Sequence, residues 1–211
     1  MTQTKPLGAP DAASAPRTLA ALNRLIRATP PPPSFSDRAV LGEGPMHPEL
    51  ALVGEQPGDR EDEAGRPFVG PSGALLDRAL AEAGVARDEA YVTNAVKNFK
   101  FRRSGKRRIH QSPTAGDVKH YRWWLERELS FVRPKMVVAL GATAALALCG
   151  RRIPVMRNRG PADFGAWRGY ITVHPSALLR LRGDAERHAA FTAFVADLER
   201  AKALADAPAQ G

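Results

Sequence analysis

Leu50-Ala51-Leu52-Val53 runs directly into Gly54-Glu55-Gln56-Pro57-Gly58-Asp59. Four apolar residues in a row, with no polar alternation, need apolar cover on both faces. That is the pattern of a parallel strand buried inside a sheet. The glycine-bearing polar residues that follow form a loop at the strand's carboxyl end. Comparable runs recur at Tyr91-Val92-Thr93, Met136 to Leu140, and Tyr170-Ile171-Thr172-Val173. Helical spacing fills the intervals. Leu75, Leu76, Ala79, Leu80 and Ala83 share a face and are closed by Gly84; Thr114 to Val132 reads as a helix; an Ala-rich helix follows Gly141; Phe191, Phe194, Val195 and Leu198 line a last one. The alternation predicts a three-layer α/β/α fold around a central, mainly parallel four-stranded sheet. Ligands in such sheets bind beyond the carboxyl ends of the strands.

Outward from this core, Leu19, Leu22, Leu25 and Ile26 suggest an N-terminal helix, and Pro30 to Pro33 an extended connection. Residues 1–16, rich in Ala, Pro and Thr, are expected to be a disordered tail, with 17–211 a single domain. The start of the chain, with Lys5, Asp11 and Arg17, does not read as a signal peptide, and Met136 to Cys149 is too short for a membrane span. A monomer in the cytoplasm, with no membrane partner, is the expectation.

The formal net charge is +9, and it is unevenly spread. Ala90 to Gly116 holds no carboxylate but carries Lys97, Lys100, Arg102, Arg103, Lys106, Arg107 and Arg108; Ser130 to Ala162 again holds no acid, against six arginines and lysines. Such fields attract polyanions, of which nucleic acid is the commonest inside cells. The single cysteine, Cys149, excludes a disulfide framework and a cluster held by several thiolates. Ser104-Gly105-Lys106-Arg107 lacks the Gly-Lys-Ser/Thr of a phosphate loop, which argues against nucleotide hydrolysis.

Four strand-end segments carry the polar chemistry: Gly54 to Asp59, Thr93-Asn94-Ala95, Gly141-Ala142-Thr143 and Val173-His174-Pro175-Ser176. Each by itself is explained by turns and helix caps. The predicted topology, however, sets all four along one sheet edge.

Gly54 to Asp59 with Gly65-Arg66-Pro67-Phe68-Val69-Gly70-Pro71-Ser72-Gly73 resembles the first motif of family 4-type uracil-DNA glycosylases. Tyr91 to Lys97 and His174-Pro175-Ser176 resemble two further motifs in the expected order. Lys106-Arg107-Arg108-Ile109-His110 resembles the loop of the UdgX branch, whose members become covalently joined to uracil-containing DNA through its histidine. The resemblance implies a DNA-repair protein that flips uracil out of DNA, single-stranded DNA being the expected substrate, and breaks its glycosidic bond.

Carried over residue by residue, Phe68 stacks on the base, Asn94 reads its polar edge and Gly54 belongs to the same base pocket. His174 hydrogen-bonds a carbonyl of the leaving base. Glu55 and Asp59 stabilise positive charge on the sugar, and Gln56 positions the sugar or a water. His110 bonds to C1′, with Glu55 on its other nitrogen. Lys106, Arg107 and Arg108 hold the loop or the DNA backbone. Ser176, Leu178, Leu179 and Arg180 meet DNA, one of the two leucines acting as a wedge. Most relatives hold a [4Fe–4S] cluster on four cysteines. This chain lacks them, Tyr121 stands at a ligand position, and no cofactor or metal is expected. Tyr121, Trp123 and Trp124 with the proline run are expected to tie the N-terminal segment down instead. Two alternatives remain open on the sequence: a multiple-turnover glycosylase in which His110 only positions water, and a non-catalytic nucleic-acid-binding module.

Overall fold

The computed structural model describes residues 15–207, so all but the last two residues of the expected tail lie outside the described residues. Strands β2 (Leu50–Gly54), β3 (Tyr91–Asn94), β6 (Met136–Leu140) and β8 (Arg168–Thr172) form the parallel core in the order β3-β2-β6-β8. Their alternating side chains divide the interior. Ala51, Val53, Val137, Ala139 and Ile171 face α1 (Leu19–Ala28), α4 (Ala115–Val132) and α5 (Ala142–Cys149). Leu50, Leu52, Met136, Val138, Leu140 and Tyr170 face α3 (Pro71–Glu82), α6 (Pro175–Leu179) and α7 (Asp184–Asp206). Both faces are therefore apolar, which is why the strands read as unbroken runs.

The expected sheet of four strands is corrected to five. β7 (Gly160–Asp163) adds antiparallel to β8 at one edge. Gly160-Pro161-Ala162-Asp163 is turn-like in composition, and only an edge position, where Pro161 owes no ladder hydrogen bond on its outer side, lets it serve as a strand.

A second, three-stranded antiparallel sheet was not anticipated. Its strands are β1 (Phe35–Ala39), β4 (Asn98–Ser104) and β5 (Arg107–His110), in the order β1-β4-β5. β4 and β5 form a hairpin closed by Gly105 and Lys106, with Gly105 at φ 59°. The sequence signal was present in Asn98-Phe99-Lys100-Phe101-Arg102, which alternates with period 2 up to a glycine turn.

α4 starts with a capping box, in which Thr114 and Asp117 satisfy each other's backbone N–H groups. Its Tyr121 is 3% exposed, lies 5.8 Å from the Phe35 ring centre and donates its hydroxyl to Asn98 Oδ1 at 2.9 Å. Trp124 is buried and Trp123 partly buried in the same cluster, against Leu22 and Ile26 of α1. α1 and β1 (Phe35–Ala39) are thus tied to α4 by aromatic packing, and Asn98, which accepts from Tyr121, donates in turn to the Ser36 carbonyl of β1 at 2.9 Å. Among the described residues, no helix is long and apolar enough to cross a membrane.

Candidate active site

The parallel strands end on one side of the sheet, and their loops enclose a cavity of about 850 Å³. Glu55, Phe68, Asn94, His110, Gly141 and His174 all line it. Asn94 ends β3, Glu55 follows β2, Thr143 opens the helix after β6, and His174 caps the helix after β8. The four segments read from the sequence as one edge are in fact one edge.

Close packing at the pocket floor depends on two glycines. A Cβ on Gly54 would stand 2.4 Å from Asn94 Oδ1 and 2.6 Å from Phe68 Cζ; one on Gly73 would stand 1.7 Å from the Phe68 carbonyl oxygen. Phe68 itself holds φ 56°, a conformation a bulky residue adopts only when its surroundings enforce it. Its ring lies 6.2 Å from that of His174, inclined by 29°. The Asn94 side chain is 3% exposed, and no hydrogen bond joins it to a described residue. A buried amide with spare donor and acceptor capacity at a pocket wall is a ligand reader by default.

His174 has a defined tautomer. Its Nδ1 accepts the backbone N–H of Ser176 at 3.2 Å and lies 2.8 Å from the Ser176 hydroxyl. Nδ1 therefore keeps its lone pair, and the neutral ring carries its proton on Nε2. Burial lowers the pKa of His174 to about 4, so this neutral donor persists at physiological pH.

Glu55 joins two elements. Its Oε2 accepts from the Thr143 hydroxyl at 2.6 Å, and its Oε1 lies 3.4 Å from His110 Nε2. Burial alone would raise its pKa, but hydrogen bonding to His110 and Thr143 outweighs this and holds the carboxyl below its usual value. It is a fixed negative charge. Thr143 belongs to a strand-end segment read from the sequence but carried no assigned role there; the pairing of β2 with β6 brings it to Glu55.

His110 reaches the cavity from the second sheet, at the end of β5, and its side chain is 49% exposed. The hairpin beneath it is clamped. Arg108 pairs with Asp62 at 2.5 Å and with Asp59 at 2.6 Å, both on α2 (Asp59–Ala64), and lies over the rings of Phe99 and Phe101. Asp62 in turn accepts from Ser36 of β1 at 2.5 Å. Gln56 accepts the Lys100 N–H at 3.1 Å and donates to the Gln111 carbonyl at 3.0 Å.

These contacts bear on several expected roles. Asp59 is paired with Arg108 and half exposed on the cavity lining, whereas Glu55 is tied to Thr143 and His110. Arg108, expected to hold either the loop or the DNA backbone, is engaged with α2. The Gln56 amide, expected to position sugar or water, bridges the hairpin backbone while still lining the cavity. The Ser176 hydroxyl is engaged with His174 and lies 3.5 Å from Arg180 Nη1. Leu178, 2% exposed, packs in the core and cannot act as a wedge without unpacking, whereas Leu179 is 46% exposed. Lys106, Arg107 and Arg180 are exposed, as DNA contacts must be.

The family model described as the uracil DNA glycosylase superfamily matches residues 41–199. The chain belongs to that superfamily. A type-4 uracil-DNA glycosylase of Thermotoga maritima is 36% identical over 168 residues, covering 78% of this chain and 82% of the relative. One from Pyrobaculum aerophilum is 36% identical over 165 residues, covering 72% and 81%. A type-5 uracil-DNA glycosylase of the same organism is 30% identical over 163 residues, covering 69% of each. The residues present do not fit the cluster that the resemblance to family 4 implies. Four thiolates are needed, and Cys149 is the sole cysteine of 211 residues. The hydroxyl of Tyr121 is already committed to Asn98. Among the described residues, no group of three or more His, Cys, Asp or Glu is placed to hold a metal ion.

Proposed function

We propose that this protein is a DNA-repair glycosylase that excises uracil from DNA, single-stranded DNA included, and remains attached through His110 to C1′ of the sugar. The observation that carries the reading is the contact between His110 and a fixed carboxylate, Glu55, at the mouth of a pocket fitted for a flat polar ring.

A uracil turned out of the strand is received by the Phe68 face and by the two-way hydrogen bonding of the Asn94 amide. As the bond between C1′ and the base breaks, its electron pair leaves with uracil. His174 Nε2–H donates to a carbonyl of the departing anion, a contact of a kind worth about 2.7–4 kcal/mol. The sugar is left positive at C1′, facing Glu55. An imidazole nitrogen of His110 gives its lone pair to C1′ and closes the bond. The resulting imidazolium is neutralised by Glu55, to which its other N–H is donated, and the uracil anion takes a proton from solvent. The balance needs no metal, cluster or oxidant, and we assign the activity to the chain without a cofactor. With the hydrolytic water displaced by the ring, each molecule acts once.

Incubation with uracil-containing single-stranded DNA, followed by heat and detergent, tests the reading. A slower-migrating band containing both protein and DNA is expected, with one uracil lost per protein. Free uracil in many-fold excess over protein would instead support the multiple-turnover alternative.

A pH prediction follows from His174. Its shift is downward, so protonation sets in only as pH falls towards about 4, where a proton on Nδ1 would break the Ser176 contact. Followed by the NMR signals of its ring protons in the intact protein, His174 should stay neutral from pH 8 to about 5.5 and take up a proton as pH falls towards about 4. An inflection near pH 6.5 would show that His174 is not held neutral by its surroundings.

A further inference from the structure

Met156 is 72% exposed, the most exposed of the large apolar side chains among the described residues. It sits at the rim of the cavity, whose lining includes Val155 and Met156 beside His174 and Ala177. Its place is built. Ile153, 9% exposed, anchors one end of the segment in the core. At the other end, Arg159 pairs with the buried carboxylate of Asp197 on α7. Between them a short 3-10 turn, Val155–Arg157, is closed by Arg157 N–H and Asn158 N–H on the Pro154 carbonyl, at 3.1 and 3.2 Å, and by the Asn158 side-chain amide on the same oxygen at 2.8 Å. A single exposed methionine is ordinary on a protein surface; what distinguishes Met156 is its position on the cavity rim, on a hydrogen-bonded turn among exposed arginines. Arg151, Arg152 and Arg157 are exposed on the same segment, and no carboxylate lies between Ser130 and Ala162. That combination suits a polyanion with apolar flat faces, which describes a nucleic-acid strand.

We infer that Met156 stacks on the base next to the extruded uracil, while Arg151, Arg152 and Arg157 meet the flanking phosphates. This rests on the uracil-flipping reading above and adds to it a second apolar contact, distinct from that of Leu179. Leu179 projects from the helix whose Ser176, Ala177 and Arg180 line the cavity; Met156 stands on a separate element of the same rim. A thioether is polarisable and adapts to any base face, so the contact is indifferent to the identity of the neighbour.

The test is a cycle between protein and DNA. Single-turnover uracil release is followed against protein concentration on strands carrying one uracil, with the 5′ or the 3′ neighbouring nucleotide either intact or replaced by an abasic tetrahydrofuran. For the wild type, removing the base on one of the two sides should raise the half-saturating concentration on the order of fivefold, the low end for one stacking contact. Met156→Ala should give the same rise on intact DNA and no further rise on the strand lacking that base. Its thermal midpoint should match the wild type, because an exposed substitution on a formed turn costs the fold little. Effects that multiply independently on both flanks, or a Met156→Ala protein that saturates like the wild type, would overturn the assignment while leaving the glycosylase reading intact. A wild type that releases no uracil would overturn that reading, and the stacking role with it.

Discussion

In the His110→Ser variant, the heat- and detergent-stable adduct is expected to fall by at least on the order of 10³-fold, with free uracil appearing in its place. Serine leaves room for water beside Glu55, and an ionised carboxylate oriented by Thr143 is the group that can activate it. The base pocket should be untouched, because Phe68, Asn94 and His174 stand on the parallel sheet and its loops, whereas His110 stands on the hairpin. The measurement is a denaturing gel run in parallel with quantification of released uracil. A variant that still forms the adduct would remove His110 as the nucleophile. One that neither attaches nor releases uracil, while still folded, would show that the histidine is needed for bond breaking itself.

The second large effect concerns stability. Lys97 and Glu128 are completely buried, 2.5 Å apart. Lys97 Nζ also donates to the Thr93 hydroxyl at 2.7 Å and to the Asn94 carbonyl at 2.8 Å, and Glu128 accepts from the hydroxyls of Tyr91 and Thr93. Every proton of the ammonium has a partner. Lys97→Met is expected to destabilise the fold by about 3–5 kcal/mol, since it strands a buried carboxylate. Lys97→Met combined with Glu128→Leu should recover at least half of that loss, because no lone charge then remains and the residual cost is the two hydroxyls left without an acceptor. Urea unfolding of both variants decides it; additive losses would show that the two side chains do not act as a pair. The site is affected as well. The network grips the Asn94 carbonyl, while the next two N–H groups, of Ala95 and Val96, bond the carbonyls of Gly54 and Glu55 at 2.9 and 3.0 Å. Loosening it would disturb Asn94 and Glu55, the proposed base reader and carboxylate, together.

What the sequence disclosed follows a physical division. The parallel strands were legible because burial on both faces leaves an unbroken apolar run, and the loops at their ends were legible because the topology rule needs no side-chain geometry. β7 was hidden by its edge position, which tolerates proline and glycine. The β4–β5 hairpin was hidden for another reason: half of its alternating residues are lysine and arginine, and attention to their charge masked their period. Roles that depend on partners distant in sequence were the least accessible. Asp59, Gln56 and Ser176 have the side chains expected of catalytic or DNA-binding groups, and their contacts with Arg108, Lys100, Gln111 and His174 were beyond the reach of the sequence. Thr143, conversely, was visible as a strand-end residue but had no assignable task until Glu55 was found 2.6 Å away.

The separation of the two sheets has an evolutionary corollary. In the proposed reaction, recognition of the base and capture of the sugar reside on different modules, joined by the Arg108 latch and the Gln56 tether. On that reading, mutations in the arm would interconvert recycling and single-turnover chemistry while leaving Phe68, Asn94 and His174 in place. For the protein engineer, the hairpin with its two acidic latch residues is the portable unit, to be grafted where a lasting mark on damaged DNA is wanted.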